Sequence, residues 1–293
     1  MIARVRLASV PEERFAAEIA RQAALIDRLP DAAVREMLAD LDRARLGILA
    51  ELAQLDPATY ASFRLAQTEA GLADVMGRFV QQYGTAIDPS QRAMWEAGRA
   101  LAAGPLVQSG LMLHIPLPSR RLLEAARAYQ ASLITGLAGD AVTEISQALR
   151  AGVLRGANLY EVTQAVAGSL TGPSTFGTIA TRAETITRTE LGRIQSIANQ
   201  ATLDEAKPYV PDLQKQWSHS GNTGKWRREG HVEAEGQIRE TDEAYRVRPR
   251  LDRPYEALRY PRDPAGTPAS IINCGCLSLP YRAAWAEVLR SAA

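Results

Sequence analysis

The sequence predicts an α+β protein that is mostly helical, with an N-terminal helical bundle followed by long helices and a small α/β C-terminal module with short strands. Apolar residues recur at helical spacing through roughly the first two hundred positions. Beyond Pro208, short segments rich in Trp, Tyr, Val and Ile alternate with Gly and Pro, as in short strands. A chain of 293 residues with 46% hydrophobic residues can build cores for two such regions. We therefore predict domains at 1–120 and 121–293.

The N-terminal region, residues 1–120, is predicted to form an Ala-rich antiparallel bundle that docks on a partner. Prolines and capping residues divide its apolar pattern into four helices. The predicted helices are 11–29, stopped by Pro30; 31–55; about 58–83; and a fourth opened by Asp88, Pro89 and Ser90.

The second region is predicted to be helical over 121–207, a small α+β module over 208–280 and a terminal helix over 281–293. In its helical part the apolar pattern pauses at Gly139 and Gly152, a short helix follows Gly156, and a long helix runs from about Thr178 to Lys207. In the module, a helix from about Lys225 ends at Gly236. The predicted strands are 214–219, 237–239, 245–247 and 277–279.

Composition excludes several classes of protein. Lys and Arg total 34 against 33 for Asp and Glu, so no overall basic field attracts nucleic acid. Residues 100–119 lack charge, but glycines and prolines interrupt them, and no membrane span is predicted. A secretory signal, a phosphate loop, a nucleophile elbow and a dinucleotide fingerprint are not found either. Folding in a cytoplasm with reduced thiols is expected.

The long helix carries Glu190 on its apolar stripe, between Ile186 and Ile194. An unpaired buried carboxylate costs several kcal/mol, so the fold is expected to supply an arginine, a histidine or an ion. A buried Glu–Arg pair that holds the helix to the C-terminal module is the favoured interpretation, and a metal-binding or catalytic role is the alternative.

A second candidate group consists of His231, Cys274 and Cys276, whose imidazole and thiolate groups suit zinc. A fourth ligand would come from Glu190, His219, Glu233 or Glu235. The favoured interpretation is a hydrogen-bonded structural histidine with no cofactor, and zinc is the alternative; the two thiols would otherwise fill the core beneath Trp217.

The order of motifs in the last third resembles the phage head morphogenesis family, the minor head proteins similar to the F protein of phage Mu. The resemblance covers about 121–280 and is most specific from Arg188 to Cys276. In that family Asn-Cys-Arg-Cys ends the motif, whereas Gly275 stands here in place of the arginine. The positions that carry the resemblance are Arg188, Thr189, Glu190, Trp217, Arg228, His231, Gly236, Asn273, Cys274 and Cys276.

The resemblance implies a non-enzymatic minor head protein, assembled in a bacterial cytoplasm into the head of a phage or gene transfer particle. It implies portal and inner capsid proteins as partners, with an influence on DNA packaging or ejection. Arginines between 246 and 262 offer non-specific contact with packaged DNA through phosphates. The rival interpretation is a metal-dependent hydrolase or nuclease built on Glu190, His231, Cys274 and Cys276.

Overall fold

In a computed structural model, the chain is described over residues 11–53, 62–108, 110–111, 115–155, 161–162, 166, 175–221 and 227–283. Long helices fill most of these ranges, and short antiparallel strands lie near the C-terminal end, which confirms the predicted fold class. Within the same ranges, no helix combines the length and the apolar character that a bilayer crossing needs.

Four long helices come first in the chain: α1 (Pro11–Ala53), α2 (Ser62–Gln108), α3 (Arg120–Leu154) and α4 (Thr175–Ala206). Shorter elements follow. They are β1 (Leu213–Ser218), α5 (Glu229–Glu233), β2 (Ile238–Glu240), β3 (Tyr245–Val247), β4 (Glu256–Leu258), α6 (Pro268–Ile271) and β5 (Leu277–Arg282).

Two of the predicted helix breaks in the N-terminal region are wrong, and a third, at Asp56 and Pro57, lies outside the described residues. Pro30 lies inside α1, and Pro89 lies inside α2. Proline holds φ at a helical value and removes one backbone hydrogen bond, at a cost of about 3 kcal/mol. Buried residues on both sides of Pro30, such as Ile26 and Val34, keep the helix continuous because their apolar burial outweighs that cost.

Contacts divide the chain into two compact units. Unit 1 takes its described residues from Met1–Pro30, Ser90–Ala126 and Thr189–Ala293, and unit 2 from Asp31–Pro89 and Arg127–Arg188. Each long helix contributes residues to both units. The predicted domain boundary at residue 120 stays a prediction.

Unit 2 is built on an aliphatic helical core. Its helices α1 and α2 approach closely at Gly47, where an added Cβ would lie 3.1 Å from the side chain of Val75. A buried polar chain crosses the core, since Gln130 donates to the Tyr83 hydroxyl at 2.6 Å and that hydroxyl lies 3.2 Å from Thr187 Oγ1. Fully buried apolar residues include Met37, Leu41, Ile48, Leu72, Phe79, Ile134, Ile145 and Leu149.

Unit 1 contains a helical core and the strands. Phe15, Ala102, Leu203 and Leu213 belong to one buried apolar cluster that joins α1, α2, α4 and β1. The strands form a three-stranded antiparallel sheet in the order β2-β1-β5 and a hairpin of β3 with β4.

The sheet corrects the predicted start of the terminal helix. Tyr281 and Arg282 belong to β5, opposite Gln214 and Leu213, where the sequence predicted the start of a terminal helix. Residues 284–293 lie outside the described ranges, as do 225 and 226, the first residues of the predicted helix that became α5. The hairpin partner β4 and the short α6 were not predicted.

Candidate metal centre

One imidazole and two thiols meet inside the C-terminal module, residues 208–280. The Nδ1 atom of His231 lies 3.6 Å from Cys274 Sγ and 3.5 Å from Cys276 Sγ. All three ligand atoms lie within 4.8 Å of one another, and each residue is at most 3% exposed. The predicted group of His231 with both cysteines is therefore brought together.

Helix α5 brings His231 inward by packing closely on the hairpin strand β3. A Cβ at Gly230 would lie 2.0 Å from the carbonyl oxygen of Arg248, so only glycine permits this approach. The helix is five residues long and is followed by Gly236 at φ +74°, whose N–H donates to the Trp217 carbonyl. The predicted glycine thus turns the chain back onto β1.

Both cysteines follow a tight turn at Ile272 and Asn273. Asn273 adopts a left-handed conformation with φ +53°, as its residue type allows, and Cys274 N donates to Ile271 O at the end of α6. Two residues later, Cys276 directly precedes β5. The turn points both sulfurs toward the same imidazole.

Trp217 lies against the group as an aromatic wall. Its ring meets the His231 imidazole edge-on at 5.6 Å between centroids and the Tyr245 ring at 5.2 Å. Such edge-to-face geometry is the favoured arrangement for π-systems. Both Trp217 and Tyr245 are fully buried, so the imidazole is held in a packed apolar setting.

Arg262 brings a buried positive charge near the thiols, and sequence analysis did not single it out for this. Its backbone has φ +67°, and its Nη1 donates to Gly192 O at 3.1 Å and to Ser196 Oγ at 3.0 Å. A Cβ on Gly192 would lie 2.5 Å from Arg262 Nε, so the glycine makes room for the guanidinium on α4. Its position in a proline-rich loop gave no sequence signal.

The pKa values of the two thiols are shifted in opposite directions. The pKa of Cys274 lies well below its usual value, chiefly because Cys276 donates a hydrogen bond to it, with further help from His231 and Arg262. The pKa of Cys276 is raised by the same hydrogen bond and by burial. A thiolate is the form of cysteine that binds metals, so the lowered pKa of Cys274 favours metal binding at this sulfur.

Glu190 is not a member of the three-residue group. Its Oε2 accepts from Arg193 Nη1 at 2.5 Å, and both side chains are about 5% exposed or less. Burial raises the pKa of Glu190, while Arg193 opposes that shift. Arg193 also donates from Nε to Arg262 O at 3.0 Å. The expected arginine partner therefore lies on α4 itself and links the helix to the module through its second hydrogen bond.

Two more motif residues, Thr189 and Arg228, contact the cysteine turn. Thr189 Oγ1 accepts from Asn273 N at 3.0 Å, which ties α4 to the cysteine turn. Arg228 donates to the carbonyl of Ile272 in that turn. Arg188 is the exception, because it pairs with Glu184 and Asp31 within unit 2.

The candidates for a fourth ligand differ in the partners that they already contact. Glu233 pairs with Arg248, and Glu235 accepts from the backbone N–H of His219. His219 is half-buried and lies within electrostatic reach of His231 and Cys274. The neighbouring Ser220 backbone N–H donates to Cys276 Sγ.

The arrangement can hold a metal ion through one nitrogen and two sulfurs. Comparisons of this chain with protein-family models, with curated proteins and with solved structures find no match. The site is therefore interpreted from its own geometry and chemistry.

Proposed function

We propose that this chain is a minor head protein of a phage or phage-like particle, and that zinc at His231, Cys274 and Cys276 holds its C-terminal module closed. Its role is binding: it joins the portal and inner capsid proteins during head assembly in the bacterial cytoplasm. Contact with packaged DNA is an additional, non-specific role of its surface arginines.

One observation carries the proposal. Motif residues that are spread over almost ninety positions, from Thr189 to Cys276, converge on one buried body. The convergence supports the resemblance because residues that share a structural role meet in space although they are distant in sequence. The hydrogen bonds between the side chains of Thr189 and Arg228 and backbone groups of the cysteine turn are the most specific of these links.

The choice of zinc rests on geometry and donor type. In a tetrahedral site, Zn–S bonds of about 2.3 Å and Zn–N bonds of about 2.0 Å place sulfur and nitrogen about 3.5 Å apart. The two Nδ1 to Sγ distances are 3.6 and 3.5 Å. Two thiolates also neutralise a divalent ion, and thiolate with imidazole favours zinc over magnesium or calcium.

Burial favours a structural ion over a catalytic one. A catalytic zinc keeps one position open to water or substrate. Here His231, Cys274 and Cys276 are at most 3% exposed, and Trp217 and Tyr245 pack beside them. These features support a scaffold role more than the rival hydrolase or nuclease.

We assign His219 as the fourth ligand, although its ring, which lies outside the three-residue group, must turn inward to reach the ion. Glu190 and Glu233 are paired with arginines, whereas His219 follows β1 directly and lies near His231 and Cys274 in electrostatic terms. To bind zinc through Nδ1, its ring gives up the hydrogen bond from Gly221 N, which is 3.1 Å long.

X-ray absorption at the zinc edge tests this coordination in the purified full chain. We expect two sulfur ligands at about 2.3 Å and two nitrogen ligands at about 2.0 Å. His219→Ala should weaken zinc binding and replace one nitrogen by water oxygen, while Glu235→Gln should leave the ligand set unchanged. A shell of oxygen ligands alone in the parent chain would contradict the zinc assignment.

Copurification tests the particle role. The full chain is coexpressed with the portal protein encoded beside it, and stoichiometric retention on tagged portal is expected. His231→Ala should reduce that retention if the closed module contributes to the contact. A gene neighbourhood without portal, terminase and major capsid genes, or a chain that portal never retains, would overturn the assignment.

A further inference from the structure

A second buried group lies in unit 1, on the face where α4 meets β1. It consists of an amine, a carboxamide and a carboxyl from Lys215, Gln200 and Asp204. The Lys215 Nζ atom donates to Gln200 Oε1 at 3.0 Å. Gln200 Nε2 donates in turn to Asp204 Oδ1 at 2.8 Å. This group takes no part in the metal centre.

The Gln200 amide is fixed on every side. Its Nε2 has two acceptors, Asp204 Oδ1 and the Thr241 carbonyl at 2.7 Å, and its Oε1 faces a donor. Because the amide nitrogen faces acceptors and the amide oxygen faces an amine, its orientation is set by the network. The carbonyl carbon lies one C=O bond, about 1.23 Å, from the oxygen that Lys215 contacts.

Lys215 is prepared as a nucleophile. Its side chain is fully buried, Nζ also donates to Arg259 O at 2.8 Å, and the amine lies 5.1 Å from the Tyr245 ring centroid. Burial lowers its pKa to about 8. Asp204, Asp242 and Asp263 oppose this shift, and the Arg259 charge adds to it. About a tenth of the amine is thus uncharged at pH 7, which is far more than in an exposed lysine.

Asp204 is placed to move a proton. Burial raises the pKa of this carboxyl, against the opposing effect of Arg259, whose Nη2 lies 2.9 Å from Oδ2. Its other oxygen accepts from the Gln200 nitrogen. A carboxyl whose pKa is shifted upward exchanges protons more readily at neutral pH than an exposed one.

We propose that Lys215 and Gln200 form an intramolecular isopeptide bond, with Asp204 as the catalytic proton carrier. Lys215 Nζ forms a bond to Gln200 Cδ, and the bond from Cδ to Nε2 breaks. In the tetrahedral adduct both nitrogens are bonded to Cδ, and the Asp204 carboxylate, whose Oδ1 already contacts Nε2, passes one proton from Nζ to Nε2, so that ammonia leaves. The reaction consumes no oxidant, reductant or cofactor.

Fixed geometry is the source of the rate. Holding an amine and an amide in contact converts a bimolecular reaction into an intramolecular one, which corresponds to effective concentrations of about 10⁵ M or more in well-oriented systems. The product joins α4 to β1 covalently across 15 residues of sequence. Such a link suits a protein that must resist force or dissociation, and it is independent of whether zinc is bound.

Intact mass measurement of the full chain tests this proposal. The folded protein is incubated at about pH 9, above the pKa of about 8 for Lys215, and is then denatured and weighed. We expect a mass below the sequence mass by one ammonia molecule, and a peptide in which the segments of Gln200 and Lys215 are joined. The reaction should proceed faster at pH 9 than at pH 7. A folded chain that keeps its full mass and yields no joined peptide overturns the proposal.

Substitutions identify the reacting groups. Lys215→Met should abolish the ammonia loss, and Asp204→Asn should slow it although both reacting groups remain. Lys207→Met is the matched control, because that amine contacts Leu213 O and Glu240 instead of a carboxamide. Loss of ammonia that persists in Lys215→Met, or that disappears in Lys207→Met, would count against the assignment, as would a joined peptide that maps elsewhere.

Discussion

Unit 2 and the C-terminal module are stabilised by different kinds of contact. The helices of unit 2 bury residues such as Leu41, Phe79 and Leu149, whose apolar burial is non-directional. The module has strands of three to six residues and buries the polar side chains of His231, Lys215 and Arg262. Its core depends on directed contacts, because each buried polar group needs its particular partner.

The two regions should therefore lose stability in different ways when a contact is removed. Loss of apolar contacts in unit 2 should lower stability in proportion to the volume removed. Loss of one partner in the module leaves a buried polar or charged group without compensation, and the effect should be larger and more local.

The largest expected effect comes from the metal ligands. Cys276→Ser should release zinc and raise hydrogen exchange of the β1 and β5 amides on the order of a hundredfold or more, because metal-binding energy is part of folding energy. Helices of unit 2 should keep their protection. Glu233→Gln is the control, since this carboxylate pairs with Arg248 outside the metal group. If the β1 and β5 amides of Cys276→Ser were as well protected from hydrogen exchange as those of Glu233→Gln, the module would not depend on its metal contacts.

The buried pair on α4 should give the next largest effect. Glu190→Gln leaves the Arg193 charge buried without its partner, which should lower the free energy of unfolding by about 3–5 kcal/mol. Urea denaturation followed by circular dichroism measures the loss. Replacing both residues by Met should recover most of it. A loss below about 1 kcal/mol would show that the pair contributes little.

The aliphatic core should give a graded response. Leu149→Ala in α3 should cost about 2–5 kcal/mol through lost burial and a residual cavity, with metal content unchanged. Leu154→Ala on the same helix, where the side chain is 87% exposed, should stay within about 0.5 kcal/mol. The urea midpoints of Leu149→Ala and Leu154→Ala measure this difference, and equal losses of unfolding free energy would contradict the role of burial.

A surface ion pair with the same spacing as the buried one should give the smallest effect. Glu96 and Arg99 are three residues apart on α2, with 65% of the glutamate side chain exposed. Glu96→Gln should change the free energy of unfolding by no more than about 0.5 kcal/mol, because water screens the pair. If Glu96→Gln lowered the free energy of unfolding as much as Glu190→Gln, burial would not explain the different strengths of the two ion pairs.

Periodicity predicted the helical class, the extent of α4 and the position of β3 well. It failed at Pro30 and Pro89, because local helix-breaking signals were outweighed by tertiary burial on both sides. The strand β4 was missed since three residues carry too little pattern.

Residue type predicted the His231, Cys274 and Cys276 group, because few side chains bind metals strongly. Other parts of the interior depend on tertiary placement. The charged residues around Arg262 predict an exposed loop, and nothing in the pattern of β1 distinguishes Lys215 from an exposed strand residue. Both side chains are nevertheless buried. Only the approach of α4 to the module determines their partners, Gly192 and Gln200.

Metal stoichiometry in the native full chain tests the central claim most directly. Native mass spectrometry of protein purified without chelator should show one zinc ion per chain. That ion should be lost in His231→Ala and in Cys274→Ser, and retained in Glu233→Gln. A chain that is metal-free after zinc is supplied, yet keeps the module fully protected from hydrogen exchange, would contradict the account.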